Sequence, residues 1–242
     1  MKQNKKQTFA LYFGNRGFFP ASLIASARDE VAAAVEKAGF DYLMPPSDMT
    51  RYGAVETKDE GLKYAEWLGE HIGEYDGLIM SLPNFSDENG AVAAVRDCGV
   101  PIFIQAYPDE IGKMDFDHRR DSYCGKFSIC DVFHQYKIPF TIMPPHVVHP
   151  NTDAFAKNLS DFAAVCRVVN GMKRFTIGVI GARTTKFKTV RYDEITLQKY
   201  GITCDTYDLS ELFYRVEKMD GNSDAVKAKI EKLIGYTDFS SV

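Results

Sequence analysis

Apolar residues in this chain come in short unbroken runs, separated by longer segments in which they recur every three or four positions. Thr8-Phe-Ala-Leu-Tyr-Phe13 is the first run, closed by Gly14, and reads as a buried strand. Leu23, Ile24, Ala27, Val31, Ala34, Val35 and Ala38 follow at helical spacing, between Pro20 at a helix start and Gly39 at its end. Asp41-Tyr-Leu-Met44 is a second short strand, stopped by Pro45 and Pro46. Thr57-Lys-Asp-Glu60 has the capping-box pattern, in which hydroxyl and carboxylate each satisfy a free backbone N–H. The helix it opens runs to about Tyr75 and is expected to bury Leu62, Tyr64, Ala65 and Leu68. Residues 76–82 form a third strand, and Ser86 is expected to cap a helix through Ala91, Val92 and Val95. Residues 101–106 form a fourth strand. A polar loop then leads to a helix over 121–136, residues 139–143 form a fifth strand, and an amphipathic helix over 151–169 is stopped by Asn170-Gly171.

Five strands with helices between them predict a parallel sheet covered on both faces. Right-handed crossovers make this a doubly wound, flavodoxin-like α/β layout with strand order 2-1-3-4-5. After Gly171 the alternation restarts, with strands at 175–180 and 201–207 and helices at 190–200, 209–219 and 223–234. Two strands make a poor independent sheet. Residues 1–171 are therefore expected to form one α/β domain, and 172–242 the incomplete beginning of a second.

Composition narrows the function classes. With 45% hydrophobic and 26% charged residues the chain is an ordinary globular one. A net charge of -4 gives no general attraction for nucleic acid or anionic lipid. No apolar run approaches the roughly 20 residues that span a bilayer. The basic stretch Met1–Gln7 is followed by strand-like residues rather than a signal-peptide core, so a cytoplasmic location is expected. Five scattered cysteines fit reduced thiols. Cys130 and His134 would share a helix face, and Cys124 lies nearby, but no CxxC or HxxxH accompanies them, so packed thiols are the reading.

Ligands of open α/β sheets gather beyond the C-terminal ends of the strands, which directs attention to those loops. Gly14-Asn-Arg-Gly-Phe-Phe19 offers Arg16, an amide and two aromatics, a mix that suits a polyhydroxyl or anionic ligand. It reads equally well as a surface turn whose Phe18 and Phe19 pack under the first helix. Asn84 and Phe85 are candidates after the third strand, while the acids that follow them read as cap and solvated residues. His118-Arg-Arg-Asp-Ser-Tyr-Cys-Gly-Lys126 is a cationic cluster at a helix start, either an oxyanion cradle or a solvated face. Gly178-Val-Ile-Gly181 lacks the full G-x-G-x-x-G and no Walker pattern occurs, which argues against a dinucleotide site. His146 and His149, and Asp115 and Asp117 beside His118, lack the companions that would complete a metal site. No nucleophile stands with its base, so no catalytic residue is assigned.

Tyr123-Cys-Gly-Lys-Phe-Ser-Ile-Cys-Asp131, the run Ile180-Gly-Ala-Arg-Thr-Thr-Lys-Phe-Lys-Thr-Val-Arg-Tyr-Asp-Glu194 and Tyr207-Asp-Leu-Ser-Glu-Leu-Phe213 resemble the N-terminal half of the L-fucose/L-arabinose isomerase family. The resemblance covers nearly the whole chain. It implies a metal-dependent aldose–ketose isomerase, commonly using manganese, whose metal ligands and acid/base groups come from later parts of the polypeptide without counterpart here. No metal or catalytic residue is carried over, and this chain alone is expected to be inactive. The resemblance further implies a homo-oligomer with the site shared between subunits. It also implies a sugar-recognition wall containing Arg16, Phe85 and the neighbourhood of Gly125 and Lys126, with Arg183 and Thr184 at the edge of the second domain. Arg16, Lys126 and Arg183 would even suit an acidic or sulfonated sugar. A stand-alone sugar- or phosphate-binding module is the alternative, and a flavin or nucleotide enzyme of the same fold a third reading.

Overall fold

Short strands whose side chains alternate between two faces build the central sheet of the first unit, four strands in all. The computed structural model describes residues 6–183 and 185–237. By its internal contacts the chain divides into two compact units, Met1–Gly171 and Met172–Val242.

In the first unit the order is β1 (Thr8–Phe13), α1 (Ser22–Lys37), β2 (Asp41–Leu43), α2 (Lys58–Glu70), β3 (Gly77–Leu82), α3 (Glu88–Val95), β4 (Ile102–Ala106), α4 (Ser122–Gln135) and α5 (Asp153–Met172), whose last residue falls in the second unit. The strands pair in parallel in the order β2-β1-β3-β4. Every residue of β3 and β4 is buried, as a parallel sheet sandwiched between helices requires. One face, with Ala10, Tyr12, Leu78, Met80 and Ile104, packs on Tyr64 and Leu68 of α2, Val95 of α3 and Ile129 and Phe133 of α4. The other, with Phe9, Leu11, Ile79 and Phe103, packs on Ile24, Val31 and Val35 of α1 and on Phe155, Leu159 and Phe162 of α5. The Phe162 ring lies 5.4 Å from Phe9 and 5.6 Å from Phe103, centroid to centroid.

Four expectations change. The fifth strand contracts to one bridge, in which the Thr141 amide donates to the Ile102 carbonyl at 2.7 Å and its carbonyl accepts from the Ile104 amide at 3.1 Å. Two residues earlier, at the next position facing β4, stands Pro139 without an N–H, and Pro144-Pro145 blocks extension on the other side. The sheet therefore has four strands. Leu62 is 52% exposed, because α2 buries the stripe Gly61, Tyr64 and Leu68. The Thr57 hydroxyl does accept from the Glu60 amide, but the Glu60 carboxylate takes the amides of Arg51 and Glu56 instead of closing the box. Asp87, not Ser86, caps α3, accepting from the Gly90 amide at 2.7 Å, while Ser86 adopts a left-handed backbone at φ 70°.

The second unit contains β5 (Phe175–Ile180), α6 (Glu194–Lys199), β6 (Ile202–Tyr207), α7 (Leu209–Glu217) and α8 (Asp224–Tyr236), with β5 and β6 paired in parallel. Asp193 and Asp208 cap α6 and α7 locally. None of the three helices α6, α7 and α8 buries a described residue, and Leu209, Leu212, Phe213 and Val216 leave one apolar stripe of α7 exposed. Among the described residues no helix is long and apolar enough to cross a membrane.

Candidate functional site

The C-terminal edge of the four-stranded sheet brings together loops that are far apart in sequence. Gly14, just past β1, donates its amide to the Ser81 carbonyl and must lack a side chain, because a Cβ there would lie 2.0 Å from the Ser86 hydroxyl oxygen. This close approach lays the β1 and β3 loops side by side. Asn15 is buried, its amide donating to the Val55 carbonyl, and its Oδ1 accepts from Asn84 Nδ2 at 2.6 Å. Its own Nδ2 reaches Glu56 at 3.4 Å.

Arg16 then projects from a fixed base. Its Nη1 donates to both oxygens of Glu88 at 3.0 and 2.9 Å, and its guanidinium carbon lies 4.9 Å from the Phe85 ring centre. Glu88 stands at the first position of α3, where the helix dipole favours a carboxylate. The Ser128 hydroxyl on α4 donates to Glu88 Oε1 at 2.6 Å. Burial raises the Glu88 pKa, but Ser128, the residue's own amide and Arg16 together outweigh it and hold the group below the usual carboxylate range. Phe85 also stacks on Phe19 at 5.6 Å, and Phe19 on the exposed Phe18 at 4.8 Å.

The start of α4 packs directly under this loop. A Cβ at Gly125 would lie 1.8 Å from the Phe85 carbonyl oxygen, so only glycine allows the contact. The cationic cluster of residues 118–126 is largely committed to the fold. Arg120 is buried, donates to the Pro83 carbonyl at 3.0 Å and lies over the Tyr107 ring. Arg119 pairs with Asp121. The amides of Arg120 and Asp121 both donate to Asp109, so a side-chain carboxylate already occupies the anion position before α4. Lys126 is only 3% exposed and donates to the His146 carbonyl at 2.9 Å, tying the loop after Thr141 to α4. Burial draws its pKa down to about 8, with Cys130 one turn along pulling the other way.

A second polar group adjoins this edge. The Tyr107 hydroxyl donates to Glu30 at 2.9 Å, and His149 Nε2 lies 3.4 Å from the same oxygen. Burial and the Glu30 carboxylate together raise the Tyr107 pKa, so the phenol stays protonated and works as a strut. Among the described residues no three His, Cys, Asp or Glu side chains are placed to hold a metal ion.

Arg16 and Phe85 are thus brought together, and Lys126 lies inward beneath them. Arg183 belongs to the second unit, where its guanidinium lies 5.7 Å from the Tyr192 ring centre. Thr184 lies outside the described residues. Glu88, read from sequence as a solvated acid, is the site residue the sequence does not reveal. Its partner Arg16 stands 72 positions away, and the only local signal is an acid in a first helical turn.

The comparison with known families comes from the same part of the chain. The family model described as Fucose/sulfoquinovose isomerase, N-terminal domain, matches residues 10–173. No curated protein matches the chain.

Proposed function

This chain belongs to the fucose/sulfoquinovose isomerase family, and from that premise we propose that it supplies substrate recognition to a metal-dependent aldose–ketose isomerase. The observation that carries this reading is the convergence of Asn15, Arg16, Asn84 and Phe85 on one edge of the sheet, inside the matched domain. Arg16 brings guanidinium donors beside an aromatic ring, the pairing that holds a polyhydroxyl ligand with a partly apolar face. The sugar class is fucose- or arabinose-like. Lys126 acts as a positioning residue for the loop around His146, and Arg183 and Thr184 stay in the proposal as sugar-binding residues on the family resemblance alone.

Moving hydrogen between C1 and C2 of a sugar needs a base near the carbon acid and an electrophile on the two oxygens. A divalent metal, manganese in this reading, supplies that electrophile when bound. By the family resemblance the metal ligands and the acid/base groups come from later parts of such a polypeptide, and none is assigned to this chain; among the described residues no three His, Cys, Asp or Glu side chains are placed to hold a metal ion. The part left to this chain is binding and orientation, which lowers the barrier by fixing the distal hydroxyls. Sharing of the site within a cytoplasmic homo-oligomer belongs to the same proposal and is supported by the family resemblance. Residues 172–242 are read as the first part of a second α/β domain, because their helices leave apolar stripes uncovered.

Ligand-observed NMR of the 242-residue chain with L-fucose and L-arabinose tests the reading. Saturation transfer to the sugar is expected, with affinity falling about tenfold in Arg16→Ala, the loss of a charge-assisted hydrogen bond. Absence of binding would defeat the recognition role. Turnover by the pure chain with added manganese would defeat the division of labour.

A further inference from the structure

We propose that Glu88 sets the substrate class of this chain to an uncharged sugar, and disfavours a sulfonated one, by cancelling the charge of Arg16 at the point of recognition. The inference rests on the recognition role proposed above and goes beyond it by choosing between the two chemistries that the family description names.

Three observations carry it. First, one nitrogen of Arg16 meets both carboxylate oxygens of Glu88, so the cation has its counter-ion in place before any ligand arrives. Second, that counter-ion is held fast. Ser128 on α4 donates to the same carboxylate, which is also anchored as the first residue of α3. A sulfonate displacing Glu88 from Arg16 would strand a carboxylate whose side chain is only 21% exposed. Third, the other cations around this edge are spent. Arg119 has Asp121, Arg120 has the Pro83 carbonyl and the Tyr107 ring, and Lys126 is turned inward to His146. The Glu56 carboxylate beside Asn15 adds negative charge to the β1 loop.

Hydroxyl groups differ from a sulfonate in the way that matters here. A hydroxyl both donates and accepts, so an Arg–Glu pair satisfies it from either side. A sulfonate only accepts, stays ionised at working pH and meets the carboxylate as a like charge. The pair therefore reads neighbouring hydroxyls well and a fixed anion poorly.

The test measures dissociation constants of the 242-residue chain for L-fucose and for sulfoquinovose, in wild type, Glu88→Gln and Ser128→Ala. Wild type is expected to favour fucose by about tenfold or more. Glu88→Gln keeps the shape but frees the Arg16 charge, so sulfoquinovose affinity should rise about tenfold and the gain should fade as salt is added. Ser128→Ala retains the carboxylate and should give no gain. Thermal unfolding of each variant separates loss of fold from change of preference. If Glu88→Gln misfolds, Arg16→Gln replaces it, and the preference for fucose should persist because no unpaired cation appears. Equal or tighter sulfoquinovose binding by wild type, or a folded Glu88→Gln with no salt-sensitive gain, overturns the inference while leaving sugar recognition intact. Binding of neither sugar overturns the recognition role and the inference with it.

Discussion

The two units are written in the same alphabet of parallel strands and amphipathic helices, yet among the described residues the first buries two extensive clusters and the second buries only Ile202. All six residues of β3 are buried, whereas β5, also of six residues, has none buried. Residues 209, 212, 213 and 216 on α7 repeat the spacing that in α5 carries Phe155, Leu159 and Phe162 to zero exposure, but they remain exposed. Periodicity thus selects the element. A second layer must be present before the same pattern becomes a core, since the hydrophobic gain scales with area removed from water.

The sharpest way to break this contrast is to delete equivalent rings. Phe162→Ala should lower the stability of the first unit by about 3–5 kcal/mol, read by urea unfolding through Trp67, the single tryptophan. Phe213→Ala, 59% exposed in the second unit, should change little. A comparable loss there, followed by limited proteolysis, would mean that the second unit has a core of its own.

A smaller effect comes from adding one methyl group. Gly125→Ala drives a Cβ into the Phe85 carbonyl and should cost about 1–3 kcal/mol while weakening sugar binding. Gly235→Ala on α8 meets nothing within 4 Å and should stabilise that helix by up to ~1 kcal/mol, visible as slower amide exchange.

Lys126 sharpens the contrast through pH, because only the first unit is shown to bury a lysine amine. Its folded pKa of about 8 lies below the ordinary 10.5, so between those values the unfolded chain binds the additional proton. The Lys126 contribution to first-unit stability should therefore rise across that window, by on the order of 3 kcal/mol, and its unfavourable effect is complete below pH 8. The rise should vanish in Lys126→Met; urea midpoints at pH 7 and 10 for both proteins check it. An identical rise in the variant would deny the inward amine.

The smallest effect concerns helix caps, which both units have. Thr57→Ala should cost the first unit about 1 kcal/mol, because α2 is packed and its fraying unfolds the core. Asp208→Ala should leave the first unit's midpoint unchanged and only speed exchange of the Ser210 amide. If the two substitutions shift that midpoint alike, cap energy is not gated by packing in the way the comparison holds.

Much of this was legible along the chain, and the exceptions have identifiable causes. β1, α1 and α5 stand out because a period of two or of 3.6 is a local property. Leu62 misleads because helical spacing admits more than one stripe, and the sheet face and α3 together decide which stripe of α2 is covered. Ser86 looks like a cap by residue type, but Gly14 presses against it and Asp87 takes the role. That Arg16 and Phe85 would be neighbours was legible because strand-end loops are few. The inward turn of Lys126 was not, because a charged residue at a helix start gives no sign of which way it faces.

The residue order by itself determined the elements, their parallel alternation and the restart after Gly171, since these follow from backbone preferences and side-chain period within a dozen residues. The tertiary structure alone decided that Thr141 pairs singly with β4, that Glu88 meets Arg16 and that Lys126 points inward. Those outcomes depend on which distant surfaces are pressed together, and charge and hydrogen-bond partners are settled only when water has been excluded between them.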